Sequence, residues 1–231
     1  KFRLYPDPKA EALVEAIAAY YQLSKDQVFV GVGSDDVIGM SFLTFFNSDK
    51  PILFPDITYS FYDVWADLFK IPYERPVLDQ TFQICLEDYK KENGGVIFPN
   101  PNAPTGEAVD LEFIKKVLDY NQDVVVIIDE AYVDFGAKSA VELINQYENL
   151  LVVQTFSKSR AMAGMRIGYA MGDKRLIQAL NEVKYSYNSY TMNMPAIELG
   201  VKAIEDKEYF REITEKIIDI REYSKEEFKK R

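Results

Sequence analysis

Between positions 155 and 166 the chain gathers an amine, three hydroxyls and two guanidinium groups. The apolar run Leu151, Val152, Val153 leads into Thr155-Phe156-Ser157-Lys158, with Gly164 and Arg166 shortly after. A lysine at the C-terminal end of an α/β strand lies in the crevice where such sheets bind ligands. Arg166 can hold an anion with a planar fork of donors. A positioned amine can form a Schiff base, and hydroxyls with an arginine can bind phosphate. That donor set suits a phosphorylated aldehyde, pyridoxal phosphate. Taken alone, the stretch also reads as a solvated loop lysine beside a surface arginine.

Other groups share this chemistry. Val124 to Ile128 is a continuous apolar run of the kind buried on both faces of a sheet, and it ends in Asp129-Glu130-Ala131-Tyr132. An acid there is often a turn former. Paired with a pyridine nitrogen, Asp129 would instead keep that nitrogen protonated, so that the ring acts as an electron sink. Tyr132 can place its phenol against a ring oxygen and so tune the Schiff base. Gly33-Ser34-Asp35-Asp36 opens a helix, and free amides at a helix N-terminus suit a phosphate, the alternative being an ordinary N-cap. Pro99 to Gly106 contains prolines enough to forbid regular structure, so it forms a fixed loop after the strand Gly95 to Phe98.

The positioning elements follow from periodicity. Helical spacing runs over Pro8–Leu23, Val37–Phe46, Tyr59–Phe69, Leu86–Glu92, Leu111–Tyr120, Val141–Tyr147, Lys174–Val183, Pro195–Glu205 and from Glu208 onward. Short apolar runs at Gln27–Val32, Ile52–Phe54, Ile71–Tyr73, Gly95–Phe98, Val124–Ile128, Leu150–Val153 and Arg166–Met171 read as strands. Strands alternating with helices predict an α/β fold, three layers around an open, largely parallel sheet. The stretch between the last two strands is short for a crossover, which suits an antiparallel final strand. Asp129, Lys158 and the loop after Phe98 then all fall at strand C-termini, on one edge of the sheet.

Composition narrows the function classes. The 231 residues are 48% hydrophobic, as expected of a folded chain with a large core. A net charge of −10, with no basic stripe interleaved with aromatics, argues against nucleic acid as a partner. The chain has no histidine and one cysteine, Cys85, so Ser-His and Cys-His nucleophiles, histidine or cysteine-cluster metal sites and an internal disulfide are excluded. A reducing cytoplasm fits, and no apolar run approaches a membrane span. The start lacks a methionine and the end lies within a charged helical pattern, so a continuation is expected at each end.

GSDD at Gly33–Asp36, PNAPTG at Pro101–Gly106, DEAY at Asp129–Tyr132 and SKSRAMAGMRIGYA at Ser157–Ala170 together resemble the fold-type-I pyridoxal-phosphate aminotransferases, most closely the histidinol-phosphate aminotransferase family. The resemblance covers nearly the whole chain. It implies that Lys158 is the Schiff-base lysine, Asp129 the partner of the ring nitrogen and Tyr132 the donor to the ring oxygen. It assigns the phosphate to Ser34, Asp35, Thr155, Ser157 and Arg166, and the ring stack to Tyr59, which otherwise reads as a core aromatic. Tyr5, otherwise turn surface, would reach the phosphate of a neighbouring subunit in a homodimer with a composite site. In many relatives an asparagine directly precedes Pro-Thr-Gly and bonds the ring oxygen; here that place is Ala103. Either Asn102 reaches in through a shifted loop, or Tyr132 holds the oxygen alone.

The implied organisation is a cofactor-binding large domain over residues 1–205 and the start of a small domain over 206–231. A lid segment and the arginine that binds the substrate's acidic group have no counterpart here. The implied activity is transamination of histidinol phosphate with 2-oxoglutarate, in histidine biosynthesis. A threonine-phosphate decarboxylase-like enzyme is the alternative with the same cofactor, and a non-catalytic α/β domain the alternative without it.

Overall fold

A computed structural model describes residues 3–230. Its centre is a seven-stranded sheet built from β1 (Val28–Gly31), β2 (Ile52–Leu53), β3 (Tyr73–Glu74), β4 (Val96–Pro99), β5 (Val126–Asp129), β6 (Leu150–Thr155) and β7 (Gly168–Gly172), in the order β1-β7-β6-β5-β4-β2-β3. β4, β5 and β6 are buried along their full lengths, as continuous apolar runs require. They pair in parallel register, with Asp129 beside Pro99 and Val153.

β7 is antiparallel to both of its neighbours, β6 and β1. The twelve residues from Phe156 to Ile167 contain only a single 3₁₀ turn, Ala163–Met165, too little chain to carry a parallel crossover. The antiparallel sense has a functional result: the segment before β7, which carries Arg166, emerges at the same edge as the C-termini of β1, β4, β5 and β6.

The helices are α1 (Glu11–Tyr21), α2 (Ser34–Phe45), α3 (Phe61–Phe69), α4 (Leu111–Tyr120), α5 (Lys174–Tyr187), α6 (Met194–Glu205) and α7 (Lys207–Lys229). They divide the core in two. One cluster packs α1, α4 and α6 on one sheet face through Leu13, Ile17, Val117, Leu118, Ala196 and Ile204. The other packs α2, α3 and α5 on the opposite face through Val37, Phe42, Tyr62, Ala66, Ile177 and Leu180. The strand side chains alternate between the two, Val126 and Ile128 into the first, Ile127 into the second. This is the expected three-layer α/β fold.

Three elements differ from their sequence patterns. Leu86–Tyr89 and Ala140–Leu143 are 3₁₀ turns rather than helices, both in runs shorter than propensity alone sustains. Arg166 is not in β7: its φ of 53° puts it in the left-handed region, closing the 3₁₀ turn, and the strand begins at Gly168.

Candidate active site

A cavity of about 200 Å³ opens at the C-terminal edge of the sheet, walled in part by Ser34, Asp35, Tyr59, Asp129, Tyr132, Ser157, Lys158 and Arg166. They arrive from several different strand ends. β1 leads into Gly33 and α2, β5 ends in Asp129, β6 leads into Ser157 and Lys158, and the approach to β7 carries Arg166.

One end of the cavity is an anion cradle. Ser34 and Asp35 begin the twelve-residue α2, whose first amides have no intrahelical acceptor. Gly33 precedes them with φ 92°, and a Cβ there would lie 2.5 Å from Arg166 Nη2. Only glycine serves, since it reaches this backbone conformation without strain and lets the guanidinium lie against the chain. Arg166 Nη2 and Asp35 Oδ2 stand 4.0 Å apart. The Asp35 carboxylate can only accept, so what it can offer a phosphate is its backbone amide. Its side chain takes the Tyr59 hydroxyl at 2.7 Å instead, holding that ring at the cavity wall.

The other end is polar and deeply set. Asp129 is fully buried apart from its opening to the cavity. Its Oδ2 accepts from Tyr62 Oη at 2.8 Å and its Oδ1 from the Ala131 amide at 3.1 Å. Burial pushes the carboxyl up to about 6, against the lowering effect of the Tyr62 and Ala131 bonds. Lys158 is exposed to the cavity, with Nζ 5.1 Å from the centre of the Tyr132 ring.

The turn that carries Lys158 is anchored from behind. Ser159 donates to Asp134, and Arg160 donates to the Ala203 carbonyl at 2.8 Å. The Arg160 guanidinium sits 5.0 Å from the Tyr20 ring, 5.3 Å from Phe156 and 4.1 Å from Phe210. α7 also reaches the segment after Tyr132, where Arg221 Nη1 donates to the Phe135 carbonyl at 2.6 Å. Beneath the floor, Glu130 accepts from Ser139 Oγ and the Ala140 amide, both at 2.6 Å, and from Gln154 Nε2 at 2.8 Å. Gln154 in turn accepts from Tyr21 and Tyr169. None of this network was legible as chemistry from the sequence.

Burial outweighs these three donors and pushes Glu130 up to about 7. The folded protein therefore holds a proton here that the unfolded chain releases near 4.5. The resulting stabilisation is complete below that value and is lost as pH rises through about 7. Denaturant unfolding is expected to show the advantage of the native protein over Glu130→Gln shrinking across that window, since glutamine does not titrate. An advantage that is flat or grows would mean that Glu130 is ionised throughout.

Three of the predicted site residues lie outside the cavity wall. Thr155 is buried, its hydroxyl 3.0 Å from Ser157 Oγ and 3.2 Å from the Ile167 carbonyl, and so it braces the turn. Asn102 is 3% exposed and gives Nδ2 to the Ile57 carbonyl at 2.8 Å, while Ala103 lines the cavity. The loop keeps Asn102 turned away through backbone bonds from the Asn102 amide to the Glu107 carbonyl and from the Gly106 amide to the Asn102 carbonyl. Tyr5 is 78% exposed and stacks on Tyr190, ring centres 4.6 Å apart. Sequence reasoning missed Tyr62; the available signal was a tyrosine on the inward face of α3, where a buried hydroxyl needs a partner.

The family described as aminotransferase class I and II matches residues 1–231. A histidinol-phosphate aminotransferase of Clostridium beijerinckii is 52% identical over 228 residues, 99% of this chain and 64% of that protein. One from Clostridium botulinum is 52% identical over 222 residues, 96% of this chain and 63% of its own length. The chain thus spans somewhat less than two thirds of these relatives. Among solved structures, the histidinol-phosphate aminotransferase of Clostridium acetobutylicum superposes with TM-score 0.89 at 27% identity, covering 98% of this chain and 69% of that one. The Sinorhizobium meliloti enzyme, solved in complex with pyridoxal-5'-phosphate, shares the fold at TM-score 0.85 and 22% identity, over 94% and 60% of the two chains.

Proposed function

The chain belongs to the class I and II aminotransferases, and from that premise we propose that it is the cofactor-binding part of a pyridoxal-phosphate-dependent transaminase that converts histidinol phosphate and 2-oxoglutarate to imidazole-acetol phosphate and glutamate, in histidine biosynthesis. The observation that carries the reading is the convergence on one cavity of an amine, a buried carboxylate, a tyrosine ring and an anion cradle. The residues fit the cofactor. The donors at Ser34, Asp35, Ser157 and Arg166 match a phosphate, and the Gly33 surface that a Cβ would obstruct leaves Arg166 room to serve it.

When bound, pyridoxal phosphate supplies an electron sink conjugated to the substrate's α-carbon. The chain's residues do the rest. The α2 amides, Ser157 and Arg166 bind the phosphate and fix the ring's position. Tyr59 stacks on the ring, and Tyr132 donates to its oxygen, the role that Asn102 leaves open. Asp129 holds a proton at the ring nitrogen. Lys158 Nζ would take the proton from the substrate α-carbon and hold it for redelivery, a role that needs no histidine.

We extend the proposal to assembly and place. Residues 1–205 form the large domain, and α7 begins a small domain at 206. A homodimer brings Tyr5 to the partner's phosphate, making the site composite. No helix among the described residues is long and apolar enough to cross a membrane, and we assign the protein to the cytoplasm.

Incubation of the purified protein with pyridoxal phosphate, histidinol phosphate and 2-oxoglutarate is expected to produce glutamate; no glutamate there, with carbon dioxide released when threonine phosphate is supplied instead, would replace the reading with a decarboxylase. Asp129→Asn is expected to lower turnover by about 10²–10³-fold while the borohydride-trapped link to Lys158 persists, since a neutral amide no longer supports the charged ring. Unchanged turnover in that variant would remove Asp129 from the site.

A further inference from the structure

Tyr62 has no part in the chemistry above, yet among the described residues it makes the shorter of the two hydrogen bonds to the Asp129 carboxylate. It lies on the inward face of α3, 0% exposed, and donates to Asp129 Oδ2 at 2.8 Å. Aromatic neighbours box its ring: Phe42 at 6.3 Å, Phe54 edge-on at 5.8 Å and Tyr59 edge-on at 5.7 Å. The hydroxyl therefore has one place to go. Asp129 Oδ1 likewise has a single donor among the described residues, the Ala131 amide. Each carboxylate oxygen keeps acceptor capacity for a ligand in the cavity.

The charged groups around Asp129 are few. Asp35, from α2, opposes its ionisation, and Lys158, from the turn after β6, favours it. The phenols of Tyr59 and Tyr132 complete the ring of titratable neighbours. Burial is the largest influence and favours the neutral acid, while the Tyr62 bond heads those that oppose it. A neutral acid would be a poor partner for a protonated pyridine nitrogen, because the attraction between opposite charges would be gone.

We propose that Tyr62 is a positioning residue of this site: its hydroxyl fixes the Asp129 carboxylate against α3 and holds it ionised, so that a bound pyridine ring meets a negative charge. The inference rests on the assignment of Asp129 to the ring nitrogen. Its first test does not.

Carbon-13 NMR of labelled aspartate carboxyls, in cofactor-free protein with Asp129→Asn to identify the resonance, reads the Asp129 titration directly. Tyr62→Phe keeps the ring and removes one oxygen atom. The Asp129 midpoint is expected to rise by about one unit or more, the scale of one hydrogen bond to a charged group. Incorporation of 3,5-difluorotyrosine at position 62, a stronger donor of nearly the same size, is expected to move the midpoint the other way. A midpoint unmoved by both changes overturns the proposal. So does a rise in both, which would mark loosened packing.

The second test uses equilibrium binding of pyridoxal phosphate and of its analogue with a C–H in place of the ring nitrogen. At a pH about one unit below the native Asp129 midpoint, Tyr62→Phe is expected to weaken the first by nearly tenfold and leave the second unchanged, since a one-unit shift changes the ionised fraction there by about a factor of ten. Equal binding of the first ligand by both proteins overturns the positioning role. Equal weakening of both ligands, with the midpoint shifted, keeps the Tyr62–Asp129 coupling and overturns the assignment of Asp129 to the ring nitrogen.

Discussion

Replacing Lys158 with alanine is expected to abolish borohydride-trapped attachment of pyridoxal phosphate and to reduce transamination at least as far as the loss of a general acid/base does, by about 10²–10⁴-fold. The lysine is exposed to the cavity, with its ammonium near the Tyr132 ring. Its removal leaves no buried group unpaired, so the thermal midpoint should stay within about 2 °C, as for an ordinary surface change. The anchors behind the turn, Ser159 on Asp134 and Arg160 on Ala203, do not pass through the lysine side chain. Retained covalent attachment in the variant would move the reactive amine to another lysine. A large fall in stability would instead make Lys158 a structural residue.

The second large effect is expected at Gly168, where β7 passes under the cradle. An added Cβ would lie 2.2 Å from the Gly33 carbonyl carbon, 2.3 Å from the Ser34 amide nitrogen and 2.5 Å from the Gly33 oxygen. All three are backbone atoms, so no flexible side chain can move aside. Gly168→Ala must therefore push β7 away from the start of α2, at a cost toward the upper end of the about 1–3 kcal/mol typical of overpacking. For a chain of this size that is a fall of roughly 5–10 °C in thermal midpoint. The same displacement spoils the phosphate cradle, so pyridoxal phosphate and inorganic phosphate should both bind more weakly. Gly164→Ala is the control, because a Cβ there meets nothing within 4 Å. Equal behaviour of the two variants would show that the close approach of β7 to Gly33 carries no weight.

The residues that declared themselves in the sequence were those whose position follows from strand polarity alone. Asp129 and Lys158 each follow an unbroken apolar run, and a run buried on both faces must end where the sheet ends. Their meeting at one edge needed only the rule for parallel strands. Gly33-Ser34 was legible for a similar reason, since a glycine before a helix start exposes amides wherever the helix points. What stayed hidden depends on how layers pack. Thr155 and Asn102 have the right chemistry and the right neighbours in the chain, but hydrogen bonds to the distant Ile167 and Ile57 carbonyls hold them out of the cavity wall. The helical spacing over Tyr59–Phe69 did not single out Tyr62, and nothing in it says that the Tyr62 hydroxyl ends on Asp129. The Arg160 contacts join α1 to α6 and α7, far away in sequence, so no local pattern encodes them.

The place of β7 also bears on how the molecule comes together as it is synthesised. β1 joins the sheet only through β7, which lies between it and β6. A nascent chain that has emerged as far as Thr155 can pair β4, β5 and β6, but β1 then has no neighbouring strand, so Gly33 and Ser34 are held in line with them only through the packing of α2 on the sheet face. Arg166 and Gly168 arrive last and close a loop of well over a hundred residues, a slow kind of contact. Phosphate binding by a ribosome-bound chain should therefore switch on as β7 emerges, making the ligand a reporter of the moment the sheet is completed.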